Sequence, residues 1–175
     1  MSLLKKIAFV LGLLLGLLLL VGALLPSSYQ VERSIVINRP PEEVYVLVAD
    51  FEEQARWNPW IKLAKANKFS SKGTAMEEGH SWTWAGEDIG RGEMVLKKCK
   101  MGQFVETEMN FLPPVDMKAQ NVWTLEPSGN GTLVRWSNVG NCSFPAMRFF
   151  TIFSEGVLGQ DFDKGLTALK ILAEQ

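Results

Sequence analysis

The chain has 175 residues, room for one ordinary domain and a small appendage. Its 18 basic and 19 acidic side chains leave a formal charge of −1, without the dense basic face that nucleic acid requires. Cys99 and Cys142 stand far apart with no CxxC, which excludes a zinc framework. Two separate thiols are the expected state, although sequence does not give the Cα separation that decides on a bridge.

The N-terminus is the appendage. From Ile7 to Leu25 the chain reads IAFVLGLLLGLLLLVGALL, 19 residues with no charged or polar side chain. As a helix rising about 1.5 Å per residue, this run spans roughly 28 Å, close to the hydrocarbon thickness of a bilayer. Lys5 and Lys6 precede it, so the positive-inside rule holds the N-terminus in the cytoplasm and sends the rest across the membrane. The competing reading is a cleaved signal peptide ending near Val21–Ala23, but signal cores usually run only about 7–15 residues. Residues 1–25 are therefore read as an anchor of a single-pass membrane protein. Residues 26–175 are read as a periplasmic or otherwise extracytoplasmic domain. Two of the basic residues lie in the anchor and no acid precedes Glu32, so the domain holds 16 basic against 19 acidic side chains, a net of −3.

Tyr29–Asn38 alternates apolar and polar side chains and reads as a strand. NRPPEEVYVLVAD then opens a helix. Asn38 suits its cap, Pro40 and Pro41 its first turn, and Glu42 and Glu43 its N-terminal dipole. FEEQARWNPW reads as a second short helix, broken at Asn58 because the residue before a proline avoids helical backbone. Six strands follow: Ile61–Phe69, His80–Ala85, Gly92–Lys100, Phe104–Leu112, Met117–Glu126 and Thr132–Asn141. The breaks are Ser70–Gly73, Gly90–Gly92, Met101-Gly102, Pro113-Pro114 and Asn130-Gly131. The Asn-Gly pair is the firmest hairpin signal. Phe149–Phe153 precede Gly156 and suggest a helical hairpin or a kinked entry. Leu158, Phe162, Leu166, Leu169 and Ala173 then form one stripe of a long C-terminal helix.

A sheet of seven strands must cover its apolar face, and only the last helix is long enough to do so. The expected fold is α+β: an antiparallel seven-stranded sheet wrapped around that helix, with two short helices after the first strand. Strand alternation puts Val134, Trp136 and Asn138 on one face, and likewise Met117, Ala119, Asn121, Trp123 and Leu125. Val105, Thr107, Met109 and Phe111 share a third such face, and His80, Trp82 and Trp84 a fourth. Six tryptophans and seven methionines suit contact with an apolar ligand, though a domain of this size also buries aromatics simply to fold. Asn121 and Asn138 among apolar neighbours need partners, which water or a ligand could supply.

Chemistry-bearing patterns are few. His80 is the sole histidine and shows no nucleophile beside it, and its loop-like flank EEGHSW reads as inert. Glu106 and Glu108 share the outer strand face and read as solvated, while Glu87-Asp88 reads as a loop. Lys62, Lys65, Lys68 and Lys72 read as a solvated strand face. There is no P-loop, GxGxxG, GxSxG or metal spacing, so no catalytic residue, metal or cofactor is assigned.

The stretches VERSIVINRPPEEVYVLVADFEEQARWNPW, TLEPSGNGTLVRW and GQDFDKGLTALK resemble the START-like superfamily, also called SRPBCC or helix-grip. Within it, the sequence is most similar to membrane-anchored bacterial proteins labelled polyketide cyclase/dehydrase-like. The resemblance implies a V of two short helices closing one end of the space between sheet and helix, with Trp57 and Trp60 at the exit of the V. Expected wall residues are then Trp57, Trp60, Trp82, Trp84, Met109, Asn121, Trp123, Trp136, Asn138 and Phe162. The leading expectation is a domain that binds a lipid or other hydrophobic small molecule beside the inner membrane. Two alternatives remain open at this point. One is a cyclase or dehydrase in which His80, Asn121, Asn138 or Tyr45 polarises carbonyls. The other is a protein-interaction domain with a filled core and an unknown partner. The anchor has a direct check: the intact mass of the mature chain retains the Leu-rich run, whereas a chain beginning near Leu24 refutes an anchor.

Overall fold

The computed structural model describes residues 3–63, 68–86, 90–113 and 115–175, without the side chains of Lys62, Leu63 and Lys68. Helix α1 (Leu3–Leu24) is exposed along nearly all its length, and is long and apolar enough to cross a membrane or to serve as a signal sequence. The remainder is the expected grip. Strands β1 (Ser28–Ile37), β2 (Lys68–Lys72), β3 (Ser81–Gly86), β4 (Gly90–Lys100), β5 (Phe104–Phe111), β6 (Met117–Ser128) and β7 (Gly131–Asn141) form one antiparallel sheet in the order β1-β7-β6-β5-β4-β3-β2. A 3-10 turn (Ala146–Phe149) leads into α5 (Phe150–Ala173), the covering helix.

Helix α5 runs beside β1 and is tied to it at both ends. The Tyr29 ring meets Phe150 edge-on at 5.3 Å. Arg33 reaches Glu155 at 2.7 Å and Asp163 at 3.3 Å, Lys170 Nζ donates to the Val36 carbonyl, and Glu174 accepts from the Asn38 amide at 2.7 Å. Tyr29 pairs with Gly140, and Ile37 with Thr132, so β1 gives the sheet two distinct ends. The near end receives the chain from α1, and the far end carries the β6–β7 hairpin.

Between β1 and β2 the chain forms three short helices: α2 (Pro41–Ala49), α3 (Phe51–Gln54) and α4 (Pro59–Leu63). The expected strand from Ile61 is therefore corrected: its start is helical, and the strand begins at Lys68. Its positions 64–67, including Lys65, lie outside the described residues, as do the Glu87-Asp88 loop and Pro114. A proline is well suited to a first helical position, so Pro59 both ends the preceding turn and starts α4. Lys62 accordingly sits on a helix and does not continue a strand face with Lys72. Ser70–Lys72, expected as a turn, complete β2 by pairing with Thr83–Ser81.

Three local expectations also change. Asn38 does not cap α2, which starts at Pro41 after Pro40 without a side-chain cap. The helical hairpin near Gly156 is absent: the 3-10 turn leads directly into α5, which continues unbroken through that glycine. The β6–β7 turn is Gly129-Asn130, one residue earlier than Asn130-Gly131. Ser128 pairs with Gly131, and the positive φ of +59° falls on Gly129, as a type II′ hairpin requires. Gly131 is needed for another reason, because a Cβ there would overlap the Ile37 carbonyl. Gly131→Ala is expected to destabilise the protein by about 1–3 kcal/mol, seen as a lower urea midpoint with an unchanged slope.

Candidate functional site

The inner face of the sheet can be followed row by row. At its centre the register aligns Val31, Asn138, Asn121 and Thr107 with Leu96. One row towards the far end come Arg33, Trp136, Trp123 and Val105. One row towards the near end come Tyr29, Gly140, Ala119, Met109, Met94 and Trp82. Met117, Phe111, Gly92 and Trp84 form the last row. Alternation thus placed the inward residues correctly, because one face of each strand is buried in α5 and the short helices.

The far rows are filled by rings. Trp136 stacks on Trp123 at 4.2 Å and on Phe162 of α5 at 3.9 Å, nearly parallel in the second contact. Trp57 meets Trp123 and Trp136 edge-on, and Trp60 meets Trp136 and Phe162 in the same way. Trp57 is also pinned by its indole N–H, which donates to the Leu47 carbonyl at 2.9 Å. Five of the expected wall residues therefore form a single aromatic floor across the far part of the space.

The central row is polar and buried. Asn121 Oδ1 accepts from Asn138 Nδ2 at 2.8 Å and from Trp136 Nε1 at 3.2 Å, while Asn121 Nδ2 donates to Met109 Sδ at 2.8 Å. Asn138 Nδ2 also reaches the Gln120 carbonyl at 3.4 Å. Thr107 is 1% exposed and its hydroxyl has no hydrogen-bond partner. A buried hydroxyl left unpaired costs roughly 1–3 kcal/mol, so this row carries unsatisfied polarity in the middle of an apolar face. Sequence reading singled out the two amides but passed over Thr107, although its place between Val105 and Met109 on an inward face was the available signal.

Beyond this row burial relaxes. Met109, Phe111, Met117 and Trp84 are half-buried, in contrast with Trp123, Leu125 and Val105 deeper in. Trp84 lies across Gly92, where any side chain would collide with its ring, and meets Phe111 edge-on at 5.6 Å. Trp82 belongs to a separate stack, on Phe69 at 4.5 Å, beside Phe51.

His80 is buried and stacked on Phe51 at 4.7 Å, with Nε2 2.8 Å from Ser71 Oγ and Nδ1 unpartnered. It stands in the loop just ahead of β3, as its flank suggested, but is buried against Phe51 of α3, with β5 and β4 between it and the Asn121–Asn138 pair. Glu106 and Glu108 bond to Gln120 and Asn110, and no cluster of metal-ligating side chains occurs among the described residues. Cys99 and Cys142 are both free, and burial pushes the Cys142 thiol up despite the nearby Arg148.

Tyr29 and Tyr45, the only tyrosines, are both buried. Burial, followed by the Cys142 thiol, raises the Tyr29 hydroxyl to about 12. Burial also raises Tyr45, helped by a hydrogen bond with Cys99. Below pH 10 both states keep these protons and the full contribution to stability is present. As pH rises from 10 towards about 12, the unfolded chain releases protons that the folded chain retains, and stability falls. Tyrosinate absorbance of the folded protein should stay flat through pH 10 and appear only with unfolding or near pH 12; a rise centred at pH 10 in the folded state contradicts this burial.

Solved structures with this fold span most of the chain. A Chromobacterium violaceum protein aligns over 86% of this chain and 99% of its own, at 17% identity and a TM-score of 0.57. A Thermobifida fusca protein aligns over 82% and 92%, at 21% identity and 0.60. The Aha1 dimer of Colwellia psychrerythraea aligns over 83% and 96%, at 17% identity and 0.57. At such identities the likeness establishes the fold alone. Comparison with the curated proteins finds no match. The family described as polyketide cyclase / dehydrase and lipid transport matches residues 28–174, from the start of β1 to the end of α5, and the chain belongs to that family.

Proposed function

We propose that the protein binds a lipid or another hydrophobic small molecule between the near half of the sheet and α5, beside the membrane in which α1 anchors it. The observation that carries this reading is the buried row Thr107–Asn121–Asn138, with its unpartnered hydroxyl, set between an aromatic floor and a half-buried apolar rim. An apolar molecule bearing one carbonyl or hydroxyl satisfies both halves of that surface: its chain meets Met109, Phe111 and Trp84, and its polar atom pairs with Thr107. The floor of Trp57, Trp60, Trp123, Trp136 and Phe162 limits how deep such a molecule reaches. The family's description as including lipid transport supports the ligand class.

Lys5 and Lys6, near the start of α1 and ahead of its apolar run, favour a cytoplasmic N-terminus and an extracytoplasmic domain. Tethering raises the effective concentration of the site towards molecules dissolved in the same membrane. Amides and a hydroxyl orient a carbonyl without moving protons, which favours a carrier or sensor over cyclase or dehydrase chemistry at this row.

Thr107→Val separates binding from stability. Removing an unpartnered buried hydroxyl should leave the empty protein as stable or more so, by up to about 1 kcal/mol. The same change should deplete a compound that the full-length protein carries through gentle purification, read by native mass spectrometry and solvent extraction. An adduct equally abundant in the wild type and in Thr107→Val is surrounding lipid. No adduct at all after incubation with membrane lipids defeats the proposal.

A further inference from the structure

Around the point where the chain leaves α1, four large apolar side chains are bare: Phe144 is 52% exposed, Ile152 55%, Phe153 61% and Val157 54%. The last three lie on α5. With 3.6 residues per turn, Ile152, Gly156, Phe153 and Val157 fall within an arc of about 140°, turned away from buried Ser154 and half-buried Leu158. Between Arg148 and Asp161 the only charged residue is Glu155, and it is drawn aside to Arg33. The arc itself carries no charge, and exposed Gln160, Asp163 and Lys164 continue the same face one turn further on, as a polar border. Bare apolar surface of this kind marks a contact site, not a chance distribution of single side chains.

Helix α1 indicates what covers it. A Cβ on Gly22, in the last turn of α1, would lie 3.3 Å from the Phe149 ring and 3.7 Å from the Phe144 ring. Arg148 Nη1 donates to the Leu25 carbonyl at 2.8 Å, closing the same junction. The start of α5 is thereby held level with the end of the span. Resting on the anchor reading above, we infer that Phe144 and the Ile152–Val157 arc are seated in the interfacial layer of the bilayer that α1 crosses. The near end of the grip space then opens towards lipid. Tyr29, which meets Phe150, belongs to the same end of the sheet as the half-buried rim of Trp84, Phe111 and Met117. An apolar molecule leaving the bilayer beside Phe153 would meet that rim without crossing water. Because the arc carries no basic side chain, neutral lipid suffices.

The experiment uses the full chain in nanodiscs of neutral phosphatidylcholine. The photoreactive analogue p-benzoylphenylalanine replaces, one at a time, Phe153, Phe144, Phe9 within α1, and exposed Met101 at the far end of the sheet. After irradiation, lipid adducts are counted by mass spectrometry. The expected result is a lipid adduct at positions 153 and 144 about ten-fold above position 101, unchanged by high salt. An adduct at position 9 with none at 153 and 144 overturns the inference and leaves the anchor standing. Adducts at 153 and 144 with none at 9 uphold the docking face while refuting the anchor. No adduct at any of the three overturns both.

Discussion

The stack of Trp123, Trp136 and Phe162 joins the sheet to its covering helix, and much of the molecule depends on it. Trp136 is held between a ring of its own sheet at 4.2 Å and a ring of α5 at 3.9 Å. The close approach continues one turn later, where a Cβ on Gly165 would lie 3.0 Å from Trp136. Such packing leaves α5 one rotation about its axis. With Phe162, Leu166 and Leu169 turned inward at the far end, an unbroken helix of 24 residues has no freedom to choose its near-end face independently. The bare arc from Ile152 to Val157 follows from the rotation set at Phe162.

The same stack divides the space between sheet and helix. Deep in, aromatic rings meet one another and exclude solvent. Further out lie two amides and a hydroxyl, then side chains only half withdrawn from water. In a low-dielectric setting a satisfied polar pair is stiff and an unsatisfied group is costly. Asn121, which accepts from both Asn138 and Trp136, belongs to the first kind, and Thr107 to the second. Stability alone would favour valine at Thr107. A group that the fold tolerates at a loss is where recognition of something outside the chain would be expected.

The sheet was legible because its signal is local and repeated. One face of each strand is buried, so the period of two marked the inward residues of β3, β5, β6 and β7, and the helical stripe marked α5. The misread elements are those where short-range signals compete. The break at Asn58 before Pro59 is present, but Pro59 also begins a further helix where a strand was expected, since proline suits both positions. The Gly129-Asn130-Gly131 string holds two overlapping turn signals, and the pairing of Ser128 with Gly131 selects the first. Asn38 looked like a cap, but α2 begins only at Pro41, which leaves Asn38 two residues short of the cap position, and its backbone amide donates instead to Glu174.

From the sequence alone came the membrane-length helix, the antiparallel sheet with its long covering helix, and the set of residues facing inward. These are consequences of composition and periodicity, which need no knowledge of distant contacts. Only the tertiary structure decided which inward residues pack on each other and which are left wanting a partner. Trp136 and Thr107 read alike, as inward positions on β7 and β5, the two strands that flank β6. One is sealed between two rings, and the other has an unpaired hydroxyl. The difference arises from strand register and the rotation of α5, which no local stretch of the chain encodes.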